Sequence, residues 1–208
     1  KINVAATGDA EEGEVHLRAD RLDTDNNGAL DINIKSIAQG SIVGDSDVTV
    51  EAVKIYNDDS ITFADQDVIN NTDNKDYIAG IEANNVSDTR FGDGFSILPG
   101  VEVRSTGDLA IDETWDLVTW RYGADSKPGI LTLRASKDLL INTSVSDAFA
   151  PGTIDLGSFG IANIDNLLQA GKSWSYNLVA GADLSAADSL AVINDVGDVK
   201  LASDTNIR

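Results

Sequence analysis

One phrase, a turn residue followed by apolar residues two apart, recurs at distant points of this chain. It appears first as Gly13-Glu14-Val15-His16-Leu17-Arg18-Ala19, then as Gly129-Ile130-Leu131-Thr132-Leu133-Arg134-Ala135, and last as Gly197-Asp198-Val199-Lys200-Leu201-Ala202. A companion phrase stands at Gly107-Asp108-Leu109-Ala110-Ile111, Lys137-Asp138-Leu139-Leu140-Ile141 and Ala182-Asp183-Leu184. Successive side chains of a strand point to opposite faces, so apolar residues two apart mark a short strand with one buried side. One such unit cannot bury its apolar side alone. Its recurrence predicts units stacked on one another, an all-β fold of the β-solenoid kind.

The rest of the chain divides by pattern. Residues 1–56 alternate strongly, through Val15 and Leu17, Ile32 and Ile34, Val48 and Val50, and Val53 and Ile55. Residues 57–95 are the most polar stretch. Within them Tyr77, Ile78, Ile81 and Val86 have helical spacing, which predicts an excursion from the stack: an irregular loop with one short helix over about 74–87. Residues 96–146 return to strands, with Val101, Val103, Leu109, Ile111, Leu117, Trp120, Leu131, Leu133, Leu139 and Ile141 as the inward set. A second excursion, rich in Gly, Asp and Asn, occupies 147–172. From 173 the strand pattern resumes through Trp174, Tyr176 and Leu178, then Leu190, Val192, Val199, Leu201 and Ile207. No low-complexity linker divides the chain, so residues 1–208 are expected to form a single segment, and the absence of Met predicts a piece of a longer protein.

Charge narrows the function classes. Fifteen basic and 35 acidic residues give a formal net charge of −20. Binding to nucleic acid or anionic lipid needs clustered Lys and Arg, so neither is expected. There is no Cys, hence no disulfide framework or thiolate chemistry. No apolar run approaches the ~20 residues that a spanning helix requires.

The series Pro99-Gly100-Val101-Glu102-Val103-Arg104-Ser105-Thr106-Gly107-Asp108-Leu109, Trp115-Asp116-Leu117, Trp120-Arg121-Tyr122-Gly123, Pro128 to Ala135, Leu139 to Asn142 and Ser173 to Leu184 resembles a region of very large bacterial exoproteins of the filamentous-haemagglutinin type. The likeness runs from about residue 13 to the end and is weakest in the acidic loops at 57–95 and 150–170. The resemblance implies a right-handed parallel β-helix within a secreted fibre on the bacterial cell surface. It also implies export of the parent protein through an outer-membrane two-partner-secretion transporter, and adhesion to cells or surfaces through an unknown receptor rather than catalysis. Stacked units leave strand edges at both ends, which predicts head-to-tail self-association.

Three constellations bear on chemistry. Asp23, Asp25, Asn27 and Asp31 place oxygen ligands around Asn27-Gly28, as in the first half of a Ca²⁺-binding loop. The position where an EF-hand needs a bidentate acid is Ile34, and a polar turn between strands is the competing reading. Trp115, Trp120 and Tyr122 form an aromatic phrase that either stacks on a sugar ring as a ligand contact or seals a β-core. His16, the only histidine, has no partner set for a triad or a zinc site, and alternation turns it outward. The chain is therefore expected to be non-catalytic. A Ca²⁺-dependent binding module and a carbohydrate-active enzyme on the same scaffold stand as the alternatives.

Overall fold

The computed structural model describes residues 2–3, 13–23, 30–35, 37, 41–43, 48–83, 95–147, 149–155, 158, 160–168 and 171–207. Strands dominate. In chain order they are β1 (Ile2–Asn3), β2 (Val15–Asp23), β3 (Leu30–Ile32), β4 (Ile42–Val43), β5 (Val48–Asn57), β6 (Phe95–Ser105), β7 (Leu109–Ile111) and β8 (Trp115–Asp116). After these come β9 (Ile130–Ala135), β10 (Leu139–Ile141), β11 (Val145–Ser146), β12 (Phe149–Asp155), β13 (Ile161–Leu168), β14 (Ser175–Val179) and β15 (Val199–Leu201). Between β5 and β6 lie α1 (Phe63–Asp67), a π-helical stretch Val68–Asn74, and α2 (Lys75–Ala83). No helix among the described residues is long and apolar enough to cross a membrane.

The largest sheet is open, with strand order β14-β9-β6-β5-β2-β3, and is parallel except for β3, which runs antiparallel to β2. A second sheet, β15-β10-β7, is wholly parallel, as is the pair β11-β8. The registers share a constant. Val101 pairs with Leu131 in the first sheet, Leu109 with Leu139 in the second and Trp115 with Val145 in the third, each 30 positions apart. The chain therefore crosses the three sheets in the same order on two successive passes. Where the offset grows, an insertion explains it. β5 and β6 are separated by the helical excursion, and β10 and β15 by a detour that includes the antiparallel β12–β13 hairpin.

Inward side chains line up in columns down the stack. Leu109 and Leu139, Ile111 and Ile141, and Val103 and Leu133 are register partners, and all six are fully buried. They belong to one contiguous apolar cluster that also takes in Ile61, Ile69, Tyr77, Ile78 and Ile81 from the helical excursion. That cluster positions the helices: residues 59–60 lie alongside β7, through the bridge Ser60–Ala110 and the bond from Ala110 N–H to Asp59 O (2.9 Å), and the helix follows directly.

α2 (Lys75–Ala83) falls within the short helix expected over about 74–87, of which 84–87 lie outside the described residues, but the helical run begins earlier, at Phe63. Its start is set by a capping box. Thr62 Oγ1 accepts from the Asp65 N–H, and the Asp65 carboxylate accepts from the Thr62 N–H at 2.9 Å. The Thr62 hydroxyl, which donates to the Asp65 carboxylate at 2.6 Å, and then the Thr62 N–H hold the Asp65 carboxyl below the usual carboxylate range. The C-terminal stretch also departs from the expected strand pattern. Residues 181–198 are mostly turns, and Leu190 and Val192 are exposed.

Candidate functional site

The phrase that sets the fold also sets the chemistry, because its Arg falls on the side opposite the apolar core. Arg18 follows Leu17 in β2, Arg104 follows Val103 in β6, and Arg134 follows Leu133 in β9. Glu51 lies in β5 and Glu102 in β6, where the register partner of Glu51 is Leu98 and that of Glu102 is Ile55. Parallel pairing brings all five together. Glu102 Oε1 accepts from Arg134 Nη1 (3.0 Å) and from Arg104 Nε, and Glu102 Oε2 accepts from Arg18 Nη2. Arg18 Nε donates to Glu51 Oε1 at 3.2 Å. His16 Nε2 lies 3.0 Å from Glu51 Oε2.

Glu51, Glu102 and Arg134 are no more than 1% exposed, whereas the Arg18 and Arg104 side chains at the margin of the cluster are each 25% exposed. Burial is the largest single influence on Glu102 and disfavours its charge. The guanidinium groups of Arg104, Arg134 and Arg18 outweigh it and hold the carboxyl below its ordinary value. Arg18 is desolvated too, yet the two glutamates keep its pKa raised. Gly100 completes the arrangement: a Cβ there would fall 2.6 Å from Glu51 Oε1, so the Glu51 side chain lies where only glycine leaves room. The row largely neutralises itself. It is a buried charge ladder that ties four adjacent strands together across their outer face.

A second polar centre docks the helical excursion. The Arg21 guanidinium donates to Ala52 O (3.0 Å), Asp73 O (2.8 Å), Asn74 Oδ1 (2.6 Å) and Gly100 O (3.1 Å), and it stacks 4.5 Å from the Tyr77 ring centroid. Asp73 also accepts from Tyr56 OH (2.7 Å) and pairs with Lys54 Nζ (2.6 Å). Tyr122 OH donates to Asn70 Oδ1 (3.1 Å) and accepts from Asn74 Nδ2 (3.2 Å), so Asn70 and Asn74 of the π-helical stretch are both anchored. Burial, and then Asp73, push the Tyr56 hydroxyl well above its ordinary range. These tyrosines are structural donors, not acids poised near neutral pH.

The aromatic phrase proves to be core. Trp115 is fully buried, and Trp120, Tyr122 and Trp174 are nearly so. They meet edge to face as Trp115–Trp120 (5.9 Å), Trp120–Trp174 (6.2 Å) and Tyr122–Trp174 (6.2 Å). Trp115, Trp120 and Tyr122 therefore turn no ring face outward to a ligand. Asp147, fully buried beside them, accepts from Trp174 N–H (2.6 Å), Tyr176 OH (3.0 Å) and Arg121 Nη2 (3.2 Å).

Of the candidate Ca²⁺ ligands, Asp25, Asn27 and the Asp23 side chain lie outside the described residues. The Asp31 carboxylate accepts from the Ile32 N–H at 2.7 Å, and its carbonyl from Tyr77 OH at 3.0 Å. Among the described residues no group of three or more His, Asp or Glu gathers as a metal site would require.

Polar ladders also run along the turns. The Asp138 N–H donates to Asp108 Oδ1 (3.1 Å), the Asp198 N–H to Asp138 Oδ1 (2.9 Å), and Asn142 Nδ2 to Asp112 Oδ1 (2.8 Å). The Asp of the repeated phrase thus serves as a register pin between neighbouring passes. No family model matches this chain, and neither a curated protein nor a solved structure matches it.

Proposed function

We propose that the chain is a stretch of right-handed parallel β-helix that serves as a structural and adhesive segment of a secreted bacterial cell-surface fibre. The observation that carries this reading is the common 30-residue offset across three parallel pairs, with apolar columns inside and polar ladders at the turns. A stack built this way gains stability from each neighbouring coil, so it extends in one dimension and makes a stiff spacer. The two excursions, about 57–95 and 147–172, interrupt the stack and would offer the contact surfaces, as insertions in repeat folds do. The buried charges are spent on one another rather than poised for catalysis, so the role is mechanical and interfacial. In the parent protein the segment would reach the surface through an outer-membrane two-partner-secretion transporter.

The test is adhesion. Beads coated with the purified chain and offered to cultured epithelial cells are expected to bind several-fold more than albumin-coated beads. Removal of the β12–β13 hairpin by a short Gly-Ser replacement is expected to lower that binding. Equal binding of chain-coated and albumin-coated beads would contradict the adhesive role.

A further inference from the structure

A cavity of about 770 Å³ lies on the side of the molecule where β5 and β6 begin, beside the turn at 122–127 and the approach to β14. Phe95, Leu98, Val118 and Pro128 supply apolar wall, and the volume falls in the range of about 300–1,000 Å³ that small-molecule sites occupy. Charge sets the cavity apart. The chain as a whole carries 35 acidic against 15 basic residues, yet Arg121, Lys127 and Lys172 line this cavity against one described carboxylate, Asp125.

The three cations differ in what already holds them. Arg121 Nη1 donates to Leu117 O (3.0 Å) and Trp120 O (3.1 Å), and Nη2 donates to Asp147 O (3.1 Å) and Asp147 Oδ2 (3.2 Å), so its guanidinium belongs to the wall. Lys127 Nζ stands 3.6 Å from Asp125 Oδ2, beyond hydrogen-bond distance. Lys172 is exposed, and no ion pair engages it among the described residues. The turn fixes the base of the Lys127 side chain: the Tyr122 N–H donates to Lys127 O (2.9 Å) and the Lys127 N–H to Tyr122 O (2.8 Å). Ser126, which lines the same cavity, takes φ 52°, a conformation that a non-glycine residue keeps only where its surroundings hold it.

We propose that this cavity binds an apolar acid, a small molecule with a hydrophobic body and one carboxylate. The body lies against the apolar wall, and the carboxylate meets the ammonium groups of Lys127 and Lys172. A cleft lined by one sign of charge concentrates ligands of the opposite sign. A cationic ligand of the same shape is drawn to the chain as a whole and repelled at this site. A polyanion gains little, because beyond the two lysines it meets a net charge of −20. The adhesive role uses none of these groups, so the site and that role stand or fall separately.

The test uses the full chain, ¹⁵N-labelled, titrated with sodium decanoate below its micellar concentration and, in parallel, with decyltrimethylammonium bromide. The expected result is saturable shifts with decanoate at the amides of Val118, Ser126 and Lys172, absent with the cation. Affinity for decanoate should fall several-fold in Lys172→Glu and at least tenfold when Lys127→Glu is added. The Lys172 side chain is exposed, so the single variant is expected to fold as the parent does. Absence of saturable shifts would overturn the site, as would equal shifts with the cation or an unchanged affinity in Lys172→Glu. Failure of the decanoate titration leaves bead adhesion untouched, and failure of bead adhesion leaves the titration untouched.

Discussion

The pass through β10 and the pass through β15 present the same kind of strand in the same columns, with opposite outcomes. Leu139 and Ile141 are fully buried, whereas Val199 and Leu201, their register partners, are about half exposed. Strand length and alternation are alike in the two. The difference is one neighbour: among the described residues β10 has a strand on either side, and β15 has one on a single side. Burial in this molecule is thus conferred by the adjacent pass and not by the strand's own sequence, as expected when stability is a sum over nearest-neighbour interfaces. The outer face makes the same point with charge. Glu102 is buried because guanidinium groups from β2, β6 and β9 close around it.

Substitutions can break this comparison, and the largest effect is expected on the outer face. Glu102→Gln removes the one carboxylate shared by three arginines and should cost about 3–5 kcal/mol in urea unfolding, as breaking a buried ion pair by removing one partner does. Next, Leu139→Ala should cost about 2–5 kcal/mol, the range for a buried Leu truncated to Ala. Gly100→Ala drives a methyl into the Glu51 carboxylate, and overpacking of this kind should cost about 1–3 kcal/mol.

Acid should act on the outer face in the same direction. The Glu102 carboxyl is held below its ordinary 4.5, so the folded state binds fewer protons there than the unfolded chain. The stability it lends is fully present above the unfolded value and is lost as the pH falls through the lower, folded value. Unfolding free energy measured from pH 7 down to pH 3 should drop in the wild type and drop less in Glu102→Gln. Smallest of all, Leu201→Ala should change stability by within about 0.5 kcal/mol, as exposed substitutions usually do. A cost for Leu201→Ala equal to that of Leu139→Ala would remove the contrast between the two passes.

Much of the inner face was legible from the chain alone. Val101, Val103, Leu109, Ile111, Leu131, Leu133, Leu139 and Ile141 are inward by alternation and buried in fact. The outer face was not. Alternation marks Glu51, Glu102 and Arg134 as outward, which by itself does not tell that they are buried. Apart from Arg104, two positions from Glu102, their partners lie 32 to 84 positions away, and no local pattern reveals that they close on one another. One signal was available, the return of Arg at the same place in the phrase, at Arg18 and Arg134. The helix start could also have been found, since Thr62 and Asp65 have capping-box spacing ahead of an apolar face. Leu190 and Val192 were misread because their spacing is strand-like, while the residues around them fold as turns. There Gly181 and Gly197 take positive φ, and Asp195 lies in the left-handed region.

The central claim is that passes 30 positions apart, and the later one carrying β15, stack in parallel with one register. The most direct test is a three-dimensional ¹⁵N-edited NOESY spectrum of the full chain, read at Ala110, Leu140 and Lys200, which β7, β10 and β15 place in one column. The account predicts backbone contacts of the parallel kind linking Ala110 to Leu140 and Leu140 to Lys200. Contacts of the antiparallel kind, or none between these residues in the folded chain, would contradict it.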